Sequence, residues 1–184
     1  MFDFIIKKYQ QKQLFKLKNT ARDKCIINWN DIKSIGLIFI VGTSEQWNII
    51  NRFISVQTKQ GKQVYLIGLH PKGFNIDYIF THTDTTICKE KEDFNLLGMP
   101  KPGLIEPFIS RHFDLVIDAT VQPCFFGKLV SAASSAPLKV AYSSSETTDE
   151  GIMDIYDLII KGSEAINFKD YIEQIVKYLS MIKK

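Results

Sequence analysis

The chain is poor in the residues that build metal centres and covalent frameworks. It holds three histidines and three cysteines in 184 residues. Cys25, Cys88 and Cys124 are odd in number and widely spaced, with no CxxC pair and no Cys/His grouping, so neither a disulfide scaffold nor a zinc site is expected. His70, His82 and His112 show no HxxxH or HExxH spacing, which excludes a metal pair on one helix; each reads as a loop or surface residue. No metal and no identifiable cofactor follow. Long apolar runs are also missing. The longest, Ile35–Val41, is far below the roughly 20 residues that span a bilayer. The apolar stretch at Phe2–Ile6 is broken by Asp3 and lacks a small-residue cleavage site, so it is not read as a signal peptide. These features predict a cytoplasmic protein.

What is present is an ordinary globular composition, with 45% hydrophobic and 23% charged residues. That excludes wholesale disorder. The net charge of +3 is too small to define a nucleic-acid binder, but it is unevenly placed. Residues 1–24 carry seven basic side chains (Lys7, Lys8, Lys12, Lys16, Lys18, Arg22, Lys24) against Asp3 and Asp23, a net +5. The remainder has 16 basic and 18 acidic residues, a net −2. A basic arm on a slightly acidic body often marks contact with phosphate, membrane or an acidic partner.

The periodicity divides the chain into an amphipathic helical arm at 1–24 and an α/β domain at 34–184. In the arm, Phe2, Ile5, Ile6 and Tyr9 form the main apolar stripe, weakly extended by Leu14 and Leu17. In the domain, SIGLIFIV (Ser34–Val41) and KQVYLIGL (Lys62–Leu69) read as strands buried on both faces. Between them Thr43 and Gln46 have capping-box form, opening a helix to about Thr58 that presents Trp47, Ile50, Phe53, Ile54 and Gln57. Ile76–Phe80 reads as a short third strand, and residues 81–101 as an irregular excursion. Further strands are expected at Phe113–Ala119, Leu138–Tyr142 and Tyr156–Lys161, with helices at Phe125–Ser135 and after the cap Asn167. Ser143–Glu150 reads as a polar loop. Alternating strands and helices predict a three-layer α/β/α Rossmann-like domain with a mostly parallel sheet of five or six strands.

In such a sheet ligands bind beyond the strand carboxyl ends, where the strand order reverses. For an order 3-2-1-4-5 the candidates are Thr43, Ser44, Asp118, Thr120, Gln122 and Tyr142. Thr43 and Ser44 could hold a phosphate on free backbone N–H groups, but the favoured reading is a plain helix cap, since no GxGxxG or Walker A pattern surrounds them. Asp118 reads as a ribose, cation or base position, or as a brace for the following loop. Cys124 stands at a helix start without a partner base. The basic arm has two readings: its stripe packs on the body, a second subunit or a protein partner, or it contacts an anionic membrane surface. No motif for sequence-specific nucleic-acid reading is present.

The segment FDLVIDAT, followed by SAASSAP and LKVAYSS, resembles the acceptor-side half of heptosyltransferase-type glycosyltransferases. That resemblance implies a glycosyltransferase-like Rossmann domain without the donor half. The whole layout resembles a family of uncharacterised single-domain Rossmann-like bacterial proteins. It is carried by the basic N-terminal helix, SIGLIF, DFNLLGMP, FDLVID and a final YDLII before a terminal helix. It implies no assigned activity. The reading from sequence is a cytoplasmic binding or scaffolding protein, leaning away from an enzyme. The alternative is a transferase or nucleotide-binding enzyme that uses the strand-end cleft. Thiol titration under denaturing, non-reducing conditions is expected to find all three cysteines free; a count of one would reveal a disulfide.

Overall fold

The computed structural model describes residues 2–18, 22–73, 84–120, 124–144, 152–162 and 166–182. Six strands form one sheet: β1 (Ser34–Ile40), β2 (Gln63–His70), β3 (Thr85–Lys89), β4 (Leu115–Asp118), β5 (Leu138–Ser144) and β6 (Leu158–Gly162). The spatial order is β3-β2-β1-β4-β5-β6 and every pairing is parallel. The order reverses between β1 and β4, where Leu37 pairs with Ile117 and Ile38 with Asp118.

Because side chains alternate along a strand, each strand feeds two layers. Ile35, Leu37 and Phe39 of β1, with Leu115 and Ile117 of β4 and Val140 of β5, point to one face. There α2 (Ser44–Lys59) and α7 (Phe168–Ser180) cover them through Trp47, Ile50 and Phe53 and through Tyr171, Ile175 and Leu179. Ile38, Ile67 and Val116 point to the other face, under α4 (Glu106–Ile109) and α5 (Phe125–Ala133). Both long covering helices on the first face begin at side-chain caps: Thr43 Oγ1 accepts from the Gln46 N–H and Asn167 Oδ1 from the Asp170 N–H. At Gly61, which follows α2, φ is +79°, a left-handed conformation that glycine adopts without strain.

The third strand departs from the sequence expectation. β3 lies at TTICK, inside the stretch read as irregular, while Ile76–Phe80 falls outside the described residues. β3 is a sheet edge with one neighbour, β2, and only Cys88 within it is fully buried, so its sequence carries little apolar signal. It is followed by the single helical turn α3 (Glu90–Asp93). Two further corrections concern strand ends. Ser143 and Ser144, assigned to a loop, continue β5 by pairing with Lys161 and Gly162. Tyr156 precedes β6 rather than opening it, because the turn α6 (Ile152–Ile155) and a bend at Asp157 come first.

The N-terminal helix α1 (Phe2–Lys18) lies outside α5. Its inner face is not the expected stripe. Leu14 and Leu17, read as the weak extension, pack with Ala132, Ala141, Ile155 and Tyr156, whereas Ile5 is exposed. Gln10 Nε2 donates to the Leu97 carbonyl at 3.0 Å, fixing the middle of the helix. Beyond α1, the Arg22 guanidinium donates to the carbonyls of Ala136 and Pro137 and to Asp157 Oδ1 at 2.7 Å. Both side chains of that ion pair are almost buried. Burial, then the nearby Arg22 charge, lowers the adjacent Lys139 ammonium to about 7.

Gly36 shows how tightly α4 seats on β1: a Cβ there would lie 2.8 Å from Phe108 Cζ and 3.0 Å from the Phe113 ring. Gly36→Ala is therefore expected to destabilise the domain by about 1–3 kcal/mol through overpacking, read as a lowered urea midpoint with unchanged slope.

Candidate functional site

The strand-end site is built by the β1–α2 loop on one side and the β4–α5 connection on the other. Thr43 and Ser44 are exposed at the start of α2. Beside them a shallow depression of about 160 Å³ is lined by Phe39–Thr43, Gln46, Trp47 and Ile50. Gln46 folds back over the loop, so that a Cβ at Gly42 would run into its amide oxygen. Small-molecule sites commonly enclose about 300–1,000 Å³; this depression is open to solvent and encloses essentially no volume.

Asp118, the last residue of β4, turns inward and is only 5% exposed. Its Oδ2 accepts a hydrogen bond from the Tyr156 hydroxyl, and its Oδ1 accepts from the Thr120 N–H at 3.0 Å. The carboxyl sits directly on α5: a Cβ at Gly127 would collide with both oxygens, so glycine is required by close approach. From the opposite layer the Tyr171 hydroxyl donates to the Asp118 backbone carbonyl at 3.1 Å. Burial raises the Asp118 carboxyl above its usual range, partly offset by the Tyr156 and Thr120 hydrogen bonds and by the Lys128 charge. Burial, and next the Asp118 charge, push both tyrosine hydroxyls well above their ordinary value, so they remain protonated donors.

Cys124 caps α5 by accepting from the Gly127 N–H at 3.3 Å. Burial, and then the charge of Asp118, raise its thiol to about 11, the reverse of an activated nucleophile. Asp114, at the other end of β4, braces the β1 start: its Oδ2 accepts from the Lys33 and Ser34 N–H groups.

The structure thus brings Asp118 and Thr120 together, and leaves Thr43 and Ser44 exposed across the switch point. Tyr142 does not join them. It points to the α7 face, where its ring meets Tyr171 edge-on at 5.9 Å, while Asp118 points to the α5 face. Gln122 lies outside the described residues. The residues that complete the Asp118 node, Tyr156, Gly127 and Tyr171, were missed from sequence. Tyr156 and Tyr171 lie 38 and 53 residues from Asp118, and nothing local marks them as its partners. Among the described residues no group of three or more His, Cys, Asp or Glu side chains is placed to hold a metal ion. No described helix is long and apolar enough to cross a membrane.

Fold and site define a doubly wound parallel α/β domain of Rossmann type in which Asp118, beside the switch point, is bonded to the domain's own Tyr156 and Thr120. The chain belongs to a family of unknown function, DUF6913, which matches residues 3–182. No curated protein matches it significantly. Among solved structures it is similar to the catalytic domain of starch synthase IV from Arabidopsis thaliana bound to ADP and acarbose, at 10% identity and a TM-score of 0.40. The match covers 95% of this chain and 36% of that one, so the chain spans about a third of that structure's length.

The Asp118 node makes a prediction with a definite sign. The folded protein holds this proton more tightly than the unfolded chain, whose carboxyl titrates near ~3.9. In the window above that value the native state binds more protons, so the Asp118 contribution to stability falls as pH rises. Asp118→Asn keeps an acceptor for the Thr120 N–H and cannot titrate. The stability of wild type relative to Asp118→Asn should decline as pH climbs from about 4, measured as urea midpoints of the two proteins. Parallel pH profiles would contradict the buried, raised carboxyl.

Proposed function

We propose that this chain is a cytoplasmic, non-catalytic binding or scaffolding protein built on a Rossmann-like domain. The observation that carries the reading is the inward commitment of Asp118. The carboxyl that would meet substrate at an open strand end is instead bonded to Tyr156 and Thr120 and pressed against Gly127. General acid–base work needs a group within reach of the reacting atoms, and this one is buried and turned toward Tyr156 and Thr120. Its neighbour Cys124 is a capping thiol that accepts from the Gly127 N–H and is raised to about 11 by burial. Three free cysteines accord with a reducing compartment.

The alternative, a transferase or nucleotide-binding enzyme, draws on exposed Thr43 and Ser44 at the amino end of a 16-residue helix, where N–H groups favour anions. A thermal-shift screen over nucleotides and sugar nucleotides separates the two. A ligand at 100 times its dissociation constant adds about 2.7 kcal/mol. The expected result is no stabilisation. A stabilisation that disappears in Ser44→Asp, whose added charge repels an anion while still suiting a helix start, would replace this reading with the alternative.

A further inference from the structure

The helix α1 has two working faces. One is held to the body by Gln10, Leu14 and Leu17. At 3.6 residues per turn, Phe4, Ile5, Lys8, Lys12, Phe15 and Lys16 fall on the opposite side, and all six are exposed. Phe4 is 70%, Ile5 53% and Phe15 58% exposed, large values for such side chains. Asp3, the only acidic residue of the helix, is not on that side. The helix is about 25 Å long, and its inner contacts and the Arg22 clamp behind it set which way the outer face looks. Leu96, 84% exposed, sits in the loop whose next carbonyl is gripped by Gln10.

From this arrangement we infer that the outer face of α1 docks the protein on an anionic lipid surface, with Phe4 and Ile5 entering the headgroup boundary and Lys8, Lys12 and Lys16 meeting lipid phosphates. The inference deepens the proposed binding role by naming its partner, and rests on that reading. Charge selects the occupant. A face with three lysines and no carboxylate complements an anionic plane. In a symmetric dimer the same patch would meet itself and set lysine against lysine, which opposes a second copy. The face carries no arginine, the residue suited to bidentate recognition of a partner's carboxylates. Lysines can lay their alkyl stems beside apolar neighbours and keep the ammonium at phosphate level. Apolar burial and lysine attraction then act on one plane, the condition for an interfacial helix.

The test is co-sedimentation of the full chain with vesicles of equal parts phosphatidylglycerol and phosphatidylcholine, compared with phosphatidylcholine alone. Binding is expected to the first and not the second, and to weaken as salt rises. Lys8→Gln with Lys12→Gln should weaken it by about 25-fold, at about fivefold per lysine. Phe4→Ala with Ile5→Ala should weaken it on the order of tenfold or more. Both variants should keep the wild-type melting temperature, since neither touches the inner face. Absence of binding, equal binding to neutral vesicles, or indifference to both variants would overturn the docking inference. So would a dimer in sedimentation that these variants dissolve. None of those results touches the non-catalytic reading, which falls only to a nucleotide-dependent stabilisation lost in Ser44→Asp.

Discussion

A carboxyl taken out of water at the end of β4 is the constraint around which the domain is arranged. A buried polar group left without partners costs about 1–3 kcal/mol, and more if charged. The fold meets that cost with two donors to the carboxyl and a third to the backbone of the same residue. Thr120 supplies its N–H from the next turn, Tyr156 its hydroxyl from the approach to β6, and Tyr171 its hydroxyl to the same residue's carbonyl from α7. Gly127 lets α5 come down on the oxygens themselves. One residue at the sheet centre therefore ties together the α5 layer, the α7 layer and the strand two places away. The same geometry takes the Asp118 carboxyl out of the strand-end surface, while Thr43 and Ser44 on the β1 side of the switch point stay exposed.

The rest of the architecture follows from strands that are apolar at nearly every position. A two-faced apolar strand is stable only when covered twice, which requires helices on both sides and hence parallel connections. β1 shows this directly: Leu37 and Phe39 serve one layer, Ile38 the other, and Gly36 admits the Phe108 and Phe113 rings. The starts of β1 and β5 are held by carboxylates as well as by apolar burial. Asp114 bonds the start of β1, and Asp157, itself paired with Arg22, accepts from the Lys139 N–H at the start of β5.

This division explains what could be read from sequence. The central strands, α2 with its Thr43 cap and α7 with its Asn167 cap were legible because burial on two faces and helix capping both leave local patterns. Alternation of elements predicts a parallel sheet but does not choose among doubly wound strand orders. The switch point between β1 and β4 was therefore legible only on the condition of an order 3-2-1-4-5, which the structure shows with β6 added at the β5 edge. β3 was not legible, because an edge strand such as TTICK is held by backbone pairing to β2 and needs few apolar residues. Of the site, Asp118 was legible as an acid placed late in an apolar strand. Its role was not, because Tyr156 and Tyr171 reach it only through the folded topology. Tyr142 was grouped with it by nearness along the sheet. A single step in strand register turns a side chain to the opposite layer, and Asp118 pairs with Ala141, not with Tyr142.

The arm illustrates the same limit in a different form. From sequence, packing and surface contact were competing uses of one apolar stripe. In the folded chain they are uses of two stripes. Leu14 and Leu17, spaced for the inner face, bury against Ala132 and Tyr156, and their burial leaves Phe4 and Ile5 turned outward with the lysines. A helix whose apolar residues spread around much of its circumference does not show from sequence which of them face the body. The division appears only once Leu14 and Leu17 are seen packed on it. What remains is a face both apolar and uniformly basic, and a monomer that exposes such a face in water carries a liability. The proposed docking against an anionic plane would cover the apolar part and neutralise the charge in one step.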